Sequence, residues 1–238
     1  MRPLDTRNYQ NIVVLTGAGT SVASGLSTFR GADGKWQHEL LAVSDGRRIP
    51  EMLPEMWVAY GRARRGLQGI EPNAAHFALA KWQHKWGNSR RITLVTQNVD
   101  GLHQKAGSPD VIEIHGSLVE TRCTNPDCTS EPFHDLTTPE VVPICPVCGA
   151  PLRPNVVLFH EALPLNAITR VRRALRDCDL FLSIGTSGVV APASEFVRGA
   201  TYVEARTIYL NLSPLQGDSP FEESVLGRAE EVLPEFLD

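Results

Sequence analysis

The chain has 238 residues, 42% of them hydrophobic and 21% charged, a globular mix that excludes a fibrous or wholly disordered polypeptide. With 23 Lys+Arg against 27 Asp+Glu the formal net charge is -4. That leaves no broad cationic field for a nucleic-acid backbone, so no direct nucleic-acid binding is expected. No run reaches the ~20 apolar residues of a membrane-spanning helix. Residues 1–9 are polar where a signal peptide needs an apolar core, and the expectation is a cytoplasmic protein with no membrane partner.

In chain order, Asn11–Thr16 is a short β-branched apolar run that halts at Gly17-Ala18-Gly19, the pattern of a buried parallel strand ending in a glycine turn. Similar runs occupy Arg91–Gln97, Asp179–Gly185 and Thr207–Leu212. Helical patterns lie between them at Asn73–Trp86, opened by Pro72, and at Leu165–Asp177. Strands alternating with helices predict an α/β fold, a Rossmann-like doubly wound parallel sheet. Two segments interrupt it. Residues 36–72 carry Trp36, Met52, Met56, Trp57 and a cluster of arginines, and read as a helical lobe. Residues 120–152 are rich in Cys, Pro, Thr and Asp and too poor in apolar residues to form a core unaided. The expected organisation is one sheet domain built from 1–35, 73–119 and 153–238, a helical insertion at 36–72 and a small module at 120–152.

Cys123-Thr-Asn-Pro-Asp-Cys128 and Cys145-Pro-Val-Cys148 form two knuckles in that module. Four thiolates turned toward one tetrahedral ion make a closed structural zinc site with no place for water or substrate. A redox pair, chance spacing and a nucleic-acid-binding zinc ribbon are the alternatives. Asp127, Glu131, Asp135 and Glu140 nearby argue against the ribbon. The fifth cysteine, Cys178, reads as a small core residue.

Gly17-Ala18-Gly19-Thr20-Ser21 follows a strand, and Val22–Gly25 can open a helix whose positive end would suit phosphate. Val22 stands where a dinucleotide fingerprint needs its third glycine, so a conventional dehydrogenase is not supported. The continuation through Phe29-Arg30-Gly31, with Thr96-Gln97-Asn98-Val99-Asp100-Gly101-Leu102-His103, His115-Gly116, Gly185-Thr186-Ser187, Asn211-Leu212 and the four cysteines, resembles the sirtuin family. The likeness spans nearly the whole chain in family order.

That resemblance implies an NAD-dependent protein-lysine deacylase. Such an enzyme moves the acyl group from lysine to ADP-ribose, with NAD as co-substrate, structural zinc, and acyl-lysine proteins or peptides as partners. It assigns 1–35, 73–119 and 153–238 to NAD. Gly17, Ala18, Gly19 and Ser21 match the diphosphate site; Phe29, Arg30 and Trp36 match the loop over the nicotinamide ribose, and Gln97 a ribose contact. Asn98 and Asp100 match the nicotinamide carboxamide pocket. Gly185, Thr186 and Ser187 with Asn211, Leu212 and Ser213 match the adenosine half, and Ala229 lies beside adenine in relatives. His115 matches the catalytic base, with Asn98 and Asp100 completing the catalytic set. From the residues alone, Asn98 and Asp100 also suit caps of a helix beginning at Gly101, and His115 a strand-end histidine bonded to backbone. His76 and His103 read as structural.

Arg153–Glu161 resembles the family's acyl-lysine tunnel, with Val157 and Phe159 on one face and His160 where many relatives have glycine. Tyr60 matches the tyrosine of a Tyr-x-x-Arg pair that takes acidic acyl groups, but Ala63 stands in the arginine's place. Arg64, one turn from Tyr60, is the substitute; a solvated surface arginine is the other reading. Protein ADP-ribosyl transfer, NAD hydrolysis and a non-catalytic NAD-sensing module are the rival functions.

Overall fold

β1 (Asn11–Thr16) is buried from Ile12 onward because both faces of the strand are covered. Ile12 and Val14 point into one apolar cluster, Val13 and Leu15 into another. It is followed by α1 (Ile49–Gly66), α2 (Ala74–Trp86), β2 (Arg91–Thr96), α3 (Leu102–Lys105), β3 (Val111–Glu113), β4 (Gly116–Cys123), β5 (Phe133–His134) and β6 (Leu152–Val156). Then come α4 (Leu165–Arg176), β7 (Leu180–Ile184), α5 (Phe196–Tyr202), β8 (Arg206–Asn211), β9 (Glu223–Leu226) and α6 (Ala229–Phe236). The computed structural model describes residues 3–28, 40–187, 191, 193–215 and 217–237. The expectations placed on Phe29, Arg30 and Trp36 lie outside them.

Six strands form a parallel sheet in the order β3-β2-β1-β7-β8-β9. Leu94, Leu180, Leu182, Ile208 and Leu210 join the cluster under α2 and α6, and Val95, Ile112 and Phe181 the cluster under α4 and α5. This is the Rossmann-like α/β architecture expected, and its central strands fall within a residue of the predicted runs. Sequence reasoning missed β3 and β9, edge strands of three and four residues that are too short to carry a period-2 signal. Cys178 sits in the second cluster, and burial pushes its thiol up to about 12.

One expectation is corrected. No α-helix opens after the glycine turn; Ala18–Thr20 and Val22–Ser24 are separate 3-10 turns, the second closed by Gly25 at φ 94°. The Thr20 and Ser21 N–H groups bond to Gly17 and Ala18 carbonyls inside those turns. A tight loop therefore stands where a helix N-terminus was expected to meet phosphate.

A second, antiparallel sheet, β5-β4-β6, carries the cysteine segment. Chain passes from the first sheet to the second at His115-Gly116. Gly116 has φ 75°, and any Cβ there would overlap the Asn155 carbonyl of β6, so only glycine lets β4 start against β6 immediately after the histidine. α1 packs across this sheet: Met56, Tyr60 and Ala63 meet Leu118, Val156 and Leu158 in a third apolar cluster.

Candidate functional site

The carboxyl ends of β1, β2, β7 and β8 converge because their registers align, Thr16 lying opposite both Thr96 and Ile184, and Ile184 opposite Leu210. The neighbours of β1 belong to different halves of the chain, the switch point at which such sheets open a crevice. The Gly17 N–H donates to the Ile184 carbonyl at 3.0 Å and the Gly19 N–H to Gly185 at 2.8 Å. A Cβ on Gly19 would come within 2.7 Å of the Gly185 backbone, so the two loops interlock only as glycines. Around them the Gln97 amide donates to Thr186 Oγ1 at 3.0 Å and the Asn211 amide to the Thr186 carbonyl at 3.0 Å. Ser187, Leu212 and Ser213 are exposed beside this rim. Ala229 is buried with Leu210 and Leu233 beneath it.

Asn98 is buried, and its Nδ2 lies within 3.2 Å of the Gly17 carbonyl, Thr20 Oγ1 and Ser21 Oγ. Ser21 in turn donates to Asp100 Oδ2 at 2.7 Å, while Asp100 Oδ1 accepts the Leu102 N–H at 3.0 Å. Asp100 thus caps α3 and also holds the glycine loop, so one carboxylate serves both readings of this residue. His76 extends the network. Its Nδ1 accepts the Asn73 N–H at 3.2 Å, which puts the proton on Nε2, 3.4 Å from Ser21 Oγ. His103 lies 4.9 Å from the His76 ring and bonds Thr16 Oγ1 through Nε2 at 2.9 Å. Burial holds it down to about 3, hence neutral. In the sequence both histidines read as structural, with no sign of the contact between His76 and Ser21; the capping position of His76, three residues after Asn73, is the available signal.

His115 follows β3 and is mostly buried. Its Nδ1 lies 3.0 Å from the Gln97 carbonyl oxygen, and its own carbonyl accepts the Val157 N–H at 2.9 Å. Burial shifts the imidazole below its ordinary value. Glu113, two residues earlier, went unnoticed in the sequence. Burial pushes its carboxyl up to about 7, and its Oε1 is buried without a hydrogen-bond partner.

The segment after β6 runs alongside the helical lobe. Phe159 donates to the Ser44 carbonyl at 2.8 Å and accepts the Gly46 N–H at 2.9 Å. The Phe159 side chain is 47% exposed, Val157 is half-buried and Leu158 is buried. His160 is exposed, at φ 67°.

Tyr60 is 5% exposed, its hydroxyl 3.4 Å from Ser44 Oγ. Arg64 corrects the expectation drawn from helical spacing. Its guanidinium is fully enclosed and donates to the Leu118, Glu120 and Thr137 carbonyls, to Thr121 Oγ1 and to Asp135 Oδ2. It binds the small antiparallel sheet to α1 and is neither a solvated side chain nor a free partner for an acyl carboxylate.

Cys123, Cys128, Cys145 and Cys148 bring their sulfurs within 4.8 Å of one another. The Cys123–Cys148 and Cys128–Cys145 separations are 3.5 and 3.7 Å, against an edge of about 3.8 Å for a tetrahedron with Zn–S bonds of about 2.3 Å. The donor set fits zinc. Trp57 closes the inner side, packed with Cys145 and Leu152 and donating from Nε1 to the Leu152 carbonyl at 2.9 Å.

Fold and site define an α/β protein with a polar crevice at its strand ends and a four-thiolate centre compatible with zinc. The Sir2 family model matches residues 17–192, and the chain belongs to the Sir2 family. An NAD-dependent protein deacylase of Escherichia coli O6:H1 is 44% identical over 233 residues, covering 95% of this chain and 82% of that protein. A deacylase of the same description from Vibrio parahaemolyticus is 41% identical over 238 residues, covering 97% and 95%. Among solved structures, a Sir2 homologue–NAD complex superposes with TM-score 0.86 at 32% identity, covering 100% of this chain and 94% of that one. Sir2Tm bound to a propionylated peptide gives 0.79 at 27% identity, covering 95% and 91%. No helix among the described residues is long and apolar enough to cross a membrane.

Proposed function

We propose that this protein is an NAD-dependent protein-lysine deacylase, transferring an acyl group from lysine to ADP-ribose and releasing nicotinamide. One observation carries the reading: His115 joins the two halves of the site, its ring bonded to Gln97 on the nucleotide side and its carbonyl bonded to Val157 on the acyl side.

The glycine cradle and the amide rim fit a dinucleotide, which supplies an electrophilic sugar carbon and a departing pyridine base. The chain's residues do the rest. Gly17, Ala18, Gly19 and Ser21 line the diphosphate path, and Gly185, Thr186, Ser187, Asn211, Leu212 and Ser213 the adenosine end, above Ala229. Gln97 holds the ribose. Asn98 and Asp100 orient the carboxamide of the leaving base, and the nearby carboxylate favours the positive charge that builds on the sugar. Because the Gln97 carbonyl can only accept, Nδ1 of His115 carries the proton and Nε2 presents a lone pair. Neutral at pH 7, that nitrogen is competent to take a proton from a ribose hydroxyl. The cysteines hold zinc, which stabilises the module and has no open position for chemistry.

Val157 and Phe159 flank the acyl-lysine, with Tyr60 in the apolar cluster beyond. With Arg64 committed to the small sheet, recognition of an acidic acyl group does not run through it, and acetyl and propionyl are the acyl groups proposed first. The proposed division is a sheet domain (1–35, 73–119 and 153–238), a helical insertion (36–72) and a zinc module (120–152); α1 lies inside the insertion, while β4 and β6 of the small sheet run past both boundaries of the module. We place the protein in the cytoplasm, acting on proteins and not on nucleic acid.

Incubation with NAD and an acetyl-lysine peptide tests the reading. O-acetyl-ADP-ribose is expected. Protein-bound ADP-ribose would favour transfer, free ADP-ribose alone would favour hydrolysis, and intact NAD would leave a binding module.

A further inference from the structure

Glu161 ends the segment likened to the acyl-lysine tunnel and has no individual role above, yet four donors converge on it. Oε1 accepts from Arg153 Nη1 at 2.7 Å and Arg122 Nη2 at 3.2 Å; Oε2 accepts from Arg153 Nη2 at 2.9 Å and from the Leu158 N–H at 2.8 Å. Arg153 is a β6 residue with a side chain 2% exposed, and Arg122 belongs to β4. The carboxylate therefore ties the loop after β6 to both long strands of the small sheet.

The same loop has no ladder of its own. The Val157 N–H goes to His115, the Leu158 N–H to Glu161, and Phe159 pairs through both backbone groups with Ser44 and Gly46. Gly46 lies so close that a Cβ would overlap Glu161 Cγ. The helical lobe thus rests directly on the carboxylate.

We infer that Glu161 is the positioning residue of the acyl-lysine segment, its guanidinium-bound carboxylate setting where Val157 and Phe159 stand relative to His115 and the helical lobe. The inference rests on the deacylase reading and deepens it. A glutamine has one acceptor oxygen and two N–H donors, so it cannot receive four converging donors. Whichever way the amide turns, its NH2 group faces two of those donors and the loop loosens on the acyl side, while the glycine cradle, the Asn98–Ser21–Asp100 network and the Gln97–Thr186 contact stay in place.

The test is steady-state kinetics of Glu161→Gln with acetyl-lysine peptide and NAD varied in turn, beside a thermal melt. A rise of about fivefold or more in peptide KM is expected, with NAD KM within about twofold of wild type. Peptide KM unchanged, or both constants moving together, overturns the inference. If Glu161→Gln does not fold, Gly46→Ala presses on the same carboxylate from the lobe side and is read by the same split. The wild-type control separates the two failures. No acetyl-ADP-ribose from wild type removes the deacylase reading and this inference with it; normal wild-type turnover without the split removes only the role of Glu161.

Discussion

The ring of His115 is held by its Nδ1, 3.0 Å from the carbonyl oxygen of Gln97, the residue that also reaches Thr186 across the crevice. This bond fixes the tautomer, and burial shifts the imidazole below 6.5. The base must be neutral to act. Activity is therefore expected to hold through pH 7 and to fall only as pH drops through a value under 6.5, in a profile of kcat/KM against pH. His115→Ala is expected to lower acyl transfer by at least about 100-fold without lowering the melting temperature in proportion. A near-normal rate would remove His115 from the role.

Arg64 is enclosed among five oxygen acceptors and lies 5.2 Å from the Trp57 ring. Arg64→Ala leaves Asp135 and three carbonyls short of a donor, and a loss of about 3–5 kcal/mol is expected from breaking such a buried pair. Denaturant melts measure it. The ratio of succinyl to acetyl turnover is expected to stay unchanged at a temperature where the variant is folded. A selective loss of succinyl activity would restore Arg64 to the acyl site.

Glu113 has its carboxyl raised from 4.5 to about 7 by burial. The folded state then binds a proton that the unfolded state has released between those values, so this group's contribution favours folding below pH 4.5 and turns progressively against it as pH rises to 7. Glu113→Gln is expected to stabilise the protein by on the order of 1–3 kcal/mol at pH 8, with little change near pH 4.5. Melts at the two pH values decide it, and an equal shift at both would mean that the carboxylate's charge is not the cause.

His160 sits at φ 67° with an exposed side chain. A non-glycine residue in that conformation costs roughly 1–2 kcal/mol, while glycine adds unfolded-state entropy of about 0.4–1 kcal/mol. His160→Gly is therefore expected to be neutral or to stabilise by up to about 1 kcal/mol. A lower melting temperature would show that the imidazole makes a stabilising contact that outweighs the backbone strain.

The parallel strands and their two covering layers were legible because burial on both faces leaves continuous apolar runs, as in Val13–Leu15 and Phe181–Leu182. The cysteine knuckles were legible because two close pairs of thiols are a local pattern. The helix expected after Gly17 failed because glycine spacing describes a turn and carries little information on the backbone conformation of the next residues. Arg64 was misplaced for a related reason: spacing from Tyr60 gives a helix face, but not which neighbouring element covers that face.

The sequence by itself determined the order of the four central strands and the thiol set, since each is written in local pattern and composition, while the residues gathered at the strand ends followed from the resemblance to the sirtuin family. Only the tertiary structure decided which nitrogen of His115 is free, that Asp100 serves both a helix cap and the glycine loop, and that Glu161 gathers Arg122, Arg153 and Leu158. Those facts depend on hydrogen-bond partners distant in the chain, whose meeting is set by packing between layers and leaves no periodic trace.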